Sequence, residues 1–305
     1  MACSTRGSAM TEARSPWRAV WRGFNRHKGA RLGLIVLAAL ILFVLIGPAL
    51  RAAPDMTVAQ QIRLRNLPPG AAYPFGTDQL GRDLLLRMMQ GGRISLSVGL
   101  AAMAISVVLG SGIGLLSGYY RRLDGPLMRL TDLFLALPLL PLLLLMVMLF
   151  REPLSRQFGP EGGIFLLMVG AIGLTSWMQV ARIVRSAVLS LKARDFVRAA
   201  LALGTPSGQV ILRHVLPNVM SPILIAASLG LASAILTESA LSFLGLGFPP
   251  DFPTWGRLLF DGVAQMQLYP TRVLWPGLAI SLTVLSVHYM AEGLRAALDP
   301  RNRGQ

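Results

Sequence analysis

The stretch ISLSVGLAAMAISVVLGSGIGLLSGYY, Ile94–Tyr120, holds no charged residue and is bracketed by Arg93 and Arg121. A helix rises about 1.5 Å per residue, so about 20 apolar residues cross a hydrocarbon core of about 30 Å. The stretch is long enough to cross once. The same test finds Leu32–Leu50, Leu133–Phe150, Gly162–Ala181, His214–Thr237 and Val273–Ala291, each without a charge. Six spans are therefore expected. Glu238 interrupts the fifth near its far end, and the apolar run resumes at Ser239–Phe248.

Composition agrees. Of 305 residues, 53% are hydrophobic and 14% charged, against about 25% charged in a soluble domain. A soluble enzyme, a coiled coil and a disordered regulator are excluded, and no alternating ten-residue segments suggest an outer-membrane barrel. The expected fold class is an all-α polytopic membrane protein. The net charge of +15 fits basic loops flanking a bilayer. No basic patch is interleaved with aromatics, so nucleic acid is not an expected partner. One cysteine, Cys3, and three scattered histidines, His27, His214 and His288, leave no disulfide, and no metal site is expected.

The first apolar run is longer than a signal-peptide core and follows a basic lead, so it reads as a retained anchor. Placing the N-terminus inside puts most of the 29 Lys and Arg residues on the inner side, and both termini are expected to be cytoplasmic. The chain then divides into a cytoplasmic segment 1–31, an anchor 32–50, an outer loop 51–92, a core 93–294 with an inner loop 182–217, and a tail 295–305.

Two polar segments are more than turns. In Arg51–Arg93, Pro54, Pro68, Pro69 and Pro74 block regular structure. Thr77 or Asp78 is a candidate N-cap for a short amphipathic helix reaching Gln90, closed by Gly91-Gly92, with an Asp83–Arg87 pair on it. In Arg182–Pro217, Asp195 is a candidate cap for a helix of about two turns closed by Gly204. A second short helix follows from Pro206 to about His214, and Pro217 is expected to start the fifth span. Phe196, Val197, Leu201 and Leu203 give the first of these an apolar side, and Ala199-Ala200 allow close approach. Such a helix asks for a docking partner, or else packs on the chain's own span ends.

Arg198-Ala199-Ala200, Gly204 and then His214-Val215-Leu216-Pro217 resemble the EAA loop of binding-protein-dependent ABC importers. The Ala-Ala, Gly and Leu-Pro positions match in spacing; Arg198 stands where the family has Glu, and His214 where it has Ile. Phe75-Gly76-Thr77-Asp78, Gly81-Arg82-Asp83, Leu241-Ser242-Phe243-Leu244-Gly245-Leu246-Gly247 and Glu292–Pro300 are similar to the second permease of the dipeptide, oligopeptide and nickel branch. The resemblance implies a six-helix type I importer membrane domain in the bacterial inner membrane. It implies a sister permease, two ATPase subunits that bind ATP and magnesium, and an outer substrate-binding protein. It implies an ATPase-coupling role for Asp195, Arg198, Ala199, Ala200, Gly204, Leu216 and Pro217, and peptides as cargo, with nickel or another small solute as the alternative. The chain holds only two lysines, Lys28 and Lys192, and no G-x-x-x-x-G-K-[ST] phosphate loop. It is expected to carry no catalytic centre and no cofactor.

Gly110, Gly114 and Gly118 recur every fourth residue and predict a close helix contact, within this chain or with the sister permease. Pro138 and Pro141 predict a kinked or broken third span, which often lines a cavity. Glu238 and Asp132 are expected to snorkel to the interface, and His288 to serve packing. An intramembrane serine protease would need an activated Ser beside His288, and no G-x-S-x-G turn is present.

Overall fold

The computed structural model describes Trp21, residues 23–51 and residues 57–298. Most of the 1–31 leader with Cys3, and the Asp299-Pro300 end, lie outside the described residues. The described chain is helical: α1 Lys28–Leu50, α2 Val58–Arg63, α3 Leu84–Tyr119, α4 Arg121–Ala136, α5 Leu139–Lys192 and α6 Asp195–Ala202, then α7 Ser207–Phe243, α8 Trp255–Val263 and α9 Thr271–Leu298. Five of these, α1, α3, α5, α7 and α9, are long and apolar enough to cross a membrane.

The longest, α5, supplies two crossings. Gly159 takes φ 78° and ψ 164°, a backbone state that L side chains avoid, and Pro160 opens the returning arm. A Cβ on Gly163 would stand 2.5 Å from the Leu154 carbonyl carbon; in a straight helix these residues lie about 13 Å apart. The arms 139–158 and 160–192 therefore fold back on each other.

Glycine contacts fix the remaining directions. A Cβ on Gly110 would meet the Trp177 carbonyl oxygen at 2.6 Å, one on Gly114 the Ala181 oxygen at 2.6 Å, and one on Gly118 Val188 Cβ at 2.7 Å. The numbers rise together, so α3 runs parallel to the arm 160–192. Gly47 meets Met89 and Gly92 meets Val44, so α1 and α3 are antiparallel. Gly99 against Ile235 with Gly230 against Met103 sets α7 antiparallel to α3, and Gly33 against Ser286 with Gly293 against Ala30 sets α9 antiparallel to α1. Six crossings follow, with Lys28, α6 and Leu298 at one end of the bundle, and residues 57–83 with α8 at the other. The Gly110, Gly114, Gly118 row thus packs inside this chain, while Gly112 has nothing within 4 Å.

Several expectations shift. Gly91-Gly92 do not end a surface helix; α3 runs through them unbroken. Their missing side chains admit the backbone of Thr254 and the Trp255 ring, whose Cζ2 would lie 2.7 Å from a Cβ on Gly92. The cap of α3 is Asp83, which accepts from the Leu85 N–H at 3.0 Å. Asp83 pairs with Arg51 rather than Arg87. Leu133–Ala136 belong to α4, because Pro138 breaks the chain and caps the start of α5. Pro217 does stand in the first turn of the regular α-helical part of α7, Leu216–Phe243; the segment before it is helical too, through a wider turn, Ile211–Val215, closed by Leu216 N–H to the Ile211 carbonyl.

Glu238 does not snorkel. It is fully buried, and its carboxylate accepts from Ser95 Oγ at 2.9 Å and Ser242 Oγ at 2.8 Å. Ser95 Oγ in turn accepts from the Trp255 N–H at 3.2 Å, so this network joins α3, α7 and α8. Asp132 is exposed and pairs with Arg182. His288 is exposed too, with Nε2 3.4 Å from Glu292 Oε1, rather than packed in a core.

Outside the spans, the loop before α3 is pinned by Asp78. Its carboxylate accepts from the N–H groups of Leu80 and Arg82 at 2.8 and 2.9 Å, and from Arg87 Nη1 at 2.7 Å. Burial opposes its ionisation, but the Arg82 N–H bond and the charges of Arg82 and Arg87 outweigh burial, so the carboxyl titrates below its ordinary value. Arg272 of α9 adds Nη2 bonds to the Thr77 carbonyl at 2.6 Å and Asn66 Oδ1 at 2.8 Å.

Two outcomes follow. Gly114→Val will lower the melting temperature of the purified protein sharply, because Val184 Cβ lies 2.7 Å from the new Cβ, whereas Gly112→Val will leave it nearly unchanged. Asp78→Ala will strand the buried Arg87 guanidinium and cost about 3–5 kcal/mol. Because the folded-state pKa is depressed, the Asp78 contribution is complete above the usual carboxylate range. It fades as pH falls through that range to the lowered value; melting curves against pH read this directly.

Candidate functional site

The loop 182–217 forms a small, sharply bounded rod. α6 begins at Asp195, with Arg194 in extended conformation at the N-cap. Asp195 is thus not the cap but the first helical residue, where its negative charge meets the positive end of the helix dipole. At the other end Leu203 caps, and Gly204 takes φ 78°. Gly204 N–H donates to the Leu201 carbonyl at 3.0 Å and Thr205 N–H to the Ala200 carbonyl at 3.1 Å. This paired closure needs a left-handed residue, which is why glycine stands there. Nothing lies within 4 Å of a Cβ built on Gly204.

The rod has two faces. Val197 and Ala200 are buried in a cluster with Tyr119, Val188, Val210, Val215 and Val219. Arg198 and Ala199 are exposed, as are Phe196, 44%, and Leu203, 86%. Ala200 therefore packs on its own chain, while Ala199 lies on the open face. Leu216 is half-buried beside the same cluster, and Pro217 is exposed on α7. His214, at the position expected to hold Ile, sets its ring 6.5 Å from that of Phe196.

Sequence reasoning missed the ties that hold this rod to the bundle. Lys192 Nζ donates to the Tyr119 carbonyl at 2.6 Å and lies 5.2 Å from the centre of the Tyr119 ring. The lysine satisfies a carbonyl at the C-terminus of α3 and places its charge at the negative end of that helix. One of only two lysines in the chain, at the end of a span, was the available signal. Likewise Arg185 Nη2 donates to Asp124 Oδ2 at 2.7 Å. Hydrogen bonding to Arg185 holds the Asp124 carboxyl below its usual range, against a small opposing effect of burial. α4 is thereby fastened to the arm that leads into α6.

The end of α3, the end of α5 and the start of α7 thus converge on α6. A push on its open face reaches three membrane helices through buried contacts. No group of three or more His, Cys, Asp or Glu side chains that could hold a metal occurs among the described residues.

Residues 106–304 match the family described as binding-protein-dependent transport system inner membrane component. Residues 15–69 match the N-terminal TM domain of oligopeptide transport permease C. The chain is 39% identical to the oligopeptide transport system permease protein OppC of Haemophilus influenzae, over 96% of this chain and 91% of that protein. It is 37% identical to the dipeptide transport system permease protein DppC of Alkalihalophilus pseudofirmus, over 94% and 90%. The oligopeptide transport system permease protein OppC of Escherichia coli K12 is 39% identical, over 96% and 93%. With its six crossings, the chain belongs to the inner-membrane permease components of binding-protein-dependent ABC transport systems.

Proposed function

We propose that this chain is a permease subunit of an ATP-driven importer of di- and oligopeptides, and that α6 is the element through which ATPase subunits move it. The relatives named for oligopeptide and dipeptide transport support the cargo. The observation that carries the mechanical part is the divided surface of α6. Val197 and Ala200 seat it on the bundle, while Phe196, Ala199 and Leu203 stand open to a partner. A solvated loop gains nothing from an exposed leucine at its tip; a docking knob does.

The basic residues clustered at this end support a cytoplasmic position for it, where an ATPase pair would bind ATP and magnesium. Two permeases, this chain and a different sister, enclose the path, and an outer binding protein delivers cargo at the α8 end. Closure of the ATPase pair displaces α6. The seated face transmits the displacement to the ends of α3, α5 and α7, which switch the path between its two openings. The division of labour fits a chain without a phosphate loop of its own.

The test is co-purification of the assembled importer and measurement of ATP hydrolysis and peptide uptake in vesicles with the loaded binding protein. An ATPase that accompanies the chain, with hydrolysis rising on peptide delivery, supports the assignment; a solitary chain without ATPase overturns it. Ala199→Trp will lower uptake and stimulated hydrolysis at least about tenfold with an unchanged melting temperature. Ala200→Trp will instead destabilise the chain by about 1–3 kcal/mol through overpacking. Arg198→Glu, which restores the family's usual residue on the exposed face, will leave uptake near wild type; complete loss would reveal a dedicated acidic partner for Arg198.

A further inference from the structure

Between α4, both arms of α5 and α7 lies a cavity of about 450 Å³. It sits about midway along residues 160–192 and 207–243, far from the outer loop and from α6. The break at Pro138 forms one wall, through Leu137 and Leu142. Non-helical backbone at this depth is tolerated where it lines a cavity rather than lipid. Opposite stand Thr175, Ser176 and Gln179 of the arm 160–192, with Ser233 of α7.

No ionisable side chain lines this space. Thr175 Oγ1 already donates to the Ala171 carbonyl and Ser176 Oγ to the Ile172 carbonyl, each at 2.7 Å. Both hydroxyls therefore present acceptor lone pairs. Gln179 is exposed to the opening with its amide unpartnered among the described residues, and offers two donors and an acceptor. A free carboxamide is costly against acyl chains. Thr175 and Gln179 are one helical turn apart, about 6 Å along the axis. An extended peptide repeats its outward-facing groups every second residue, about 6.6 Å.

We propose that this cavity holds the main chain of a peptide in transit, hydrogen-bonded by Gln179 with Thr175, Ser176 and Ser233. The proposal rests on the peptide-import reading and adds where and how cargo is held. Only the backbone is common to all peptides, and an uncharged site of this kind accepts cargo of any charge. Leu137 and Leu142 supply contact area without selecting a side chain.

The test uses the assembled importer in vesicles with a labelled mixture of tri- to pentapeptides. Gln179→Leu will lower initial uptake about five- to tenfold, as expected for losing hydrogen bonds to the cargo, with an unchanged melting temperature. Gln179→Asn will recover part of the loss. A photoreactive benzoylphenylalanine replacing Ile183, which also lines the cavity, will capture labelled peptide during turnover. Capture of only the sister permease or lipid, or wild-type uptake by Gln179→Leu, overturns the proposal and leaves peptide import standing. Failure of the wild-type importer to take up any peptide overturns both.

Discussion

The close parallel contact of α3 with the second arm of α5 is the constraint on which the bundle rests. Three glycines, each one turn from the next, let Val180, Val184 and Val188 press onto the α3 backbone. Two parallel neighbours cannot be joined by a tight turn. The chain must leave α3, run through α4, cross back as residues 139–158 and reverse at Gly159 before it can lie beside α3 again. The Pro138 break and the Gly159 turn are consequences of that route. So is the convergence of the ends of α3 and α5 beside α6, where Lys192 ties one to the other.

The two ends of the bundle are built by different physics. At the α6 end, apolar residues of a short rod seat on a valine-rich cluster, and one face is left bare. At the α8 end, charge and hydrogen bonding dominate, with Asp78, Arg87 and Arg272 holding the loop against α3 and α9. Just beneath α8, Glu238 is held by hydroxyls and joined through Ser95 to Trp255. The α8 end is accordingly fastened to α3, α7 and α9 by directional bonds, whereas Val197 and Ala200 seat the α6 rod by packing, with Lys192 to the Tyr119 carbonyl as the directional tie at its root.

Much of this was legible in the sequence because hydropathy and glycine spacing are local signals. Charge-free runs located all six crossings, and the four-residue glycine period announced a close contact, though only the fold shows that its partner lies in the same chain. The closing turn of α6 was readable from Gly204. The failures share one cause: they concern what long-range neighbours do to a residue. Gly91-Gly92 read as a stop because glycine ends helices, yet here they make room for Trp255. Glu238 read as interfacial because it sits near a span end, yet α8 folds over that end and buries it. The face on which Ala200 lies could not be known without the cluster around Tyr119.

The widened turn at Ile211–Val215 sets the rotational phase of α7. Val210 just before it and Val215 at its end are gripped by the packing around α6; beyond it, Glu238 must point at Ser95. An ordinary α-helical ladder of the same length would arrive at Glu238 turned to a different compass bearing, with the carboxyl aimed away from its hydroxyls. The irregular turn therefore works like the offset tooth of a gear, keeping the two ends of one shaft in step although they engage different parts of the assembly.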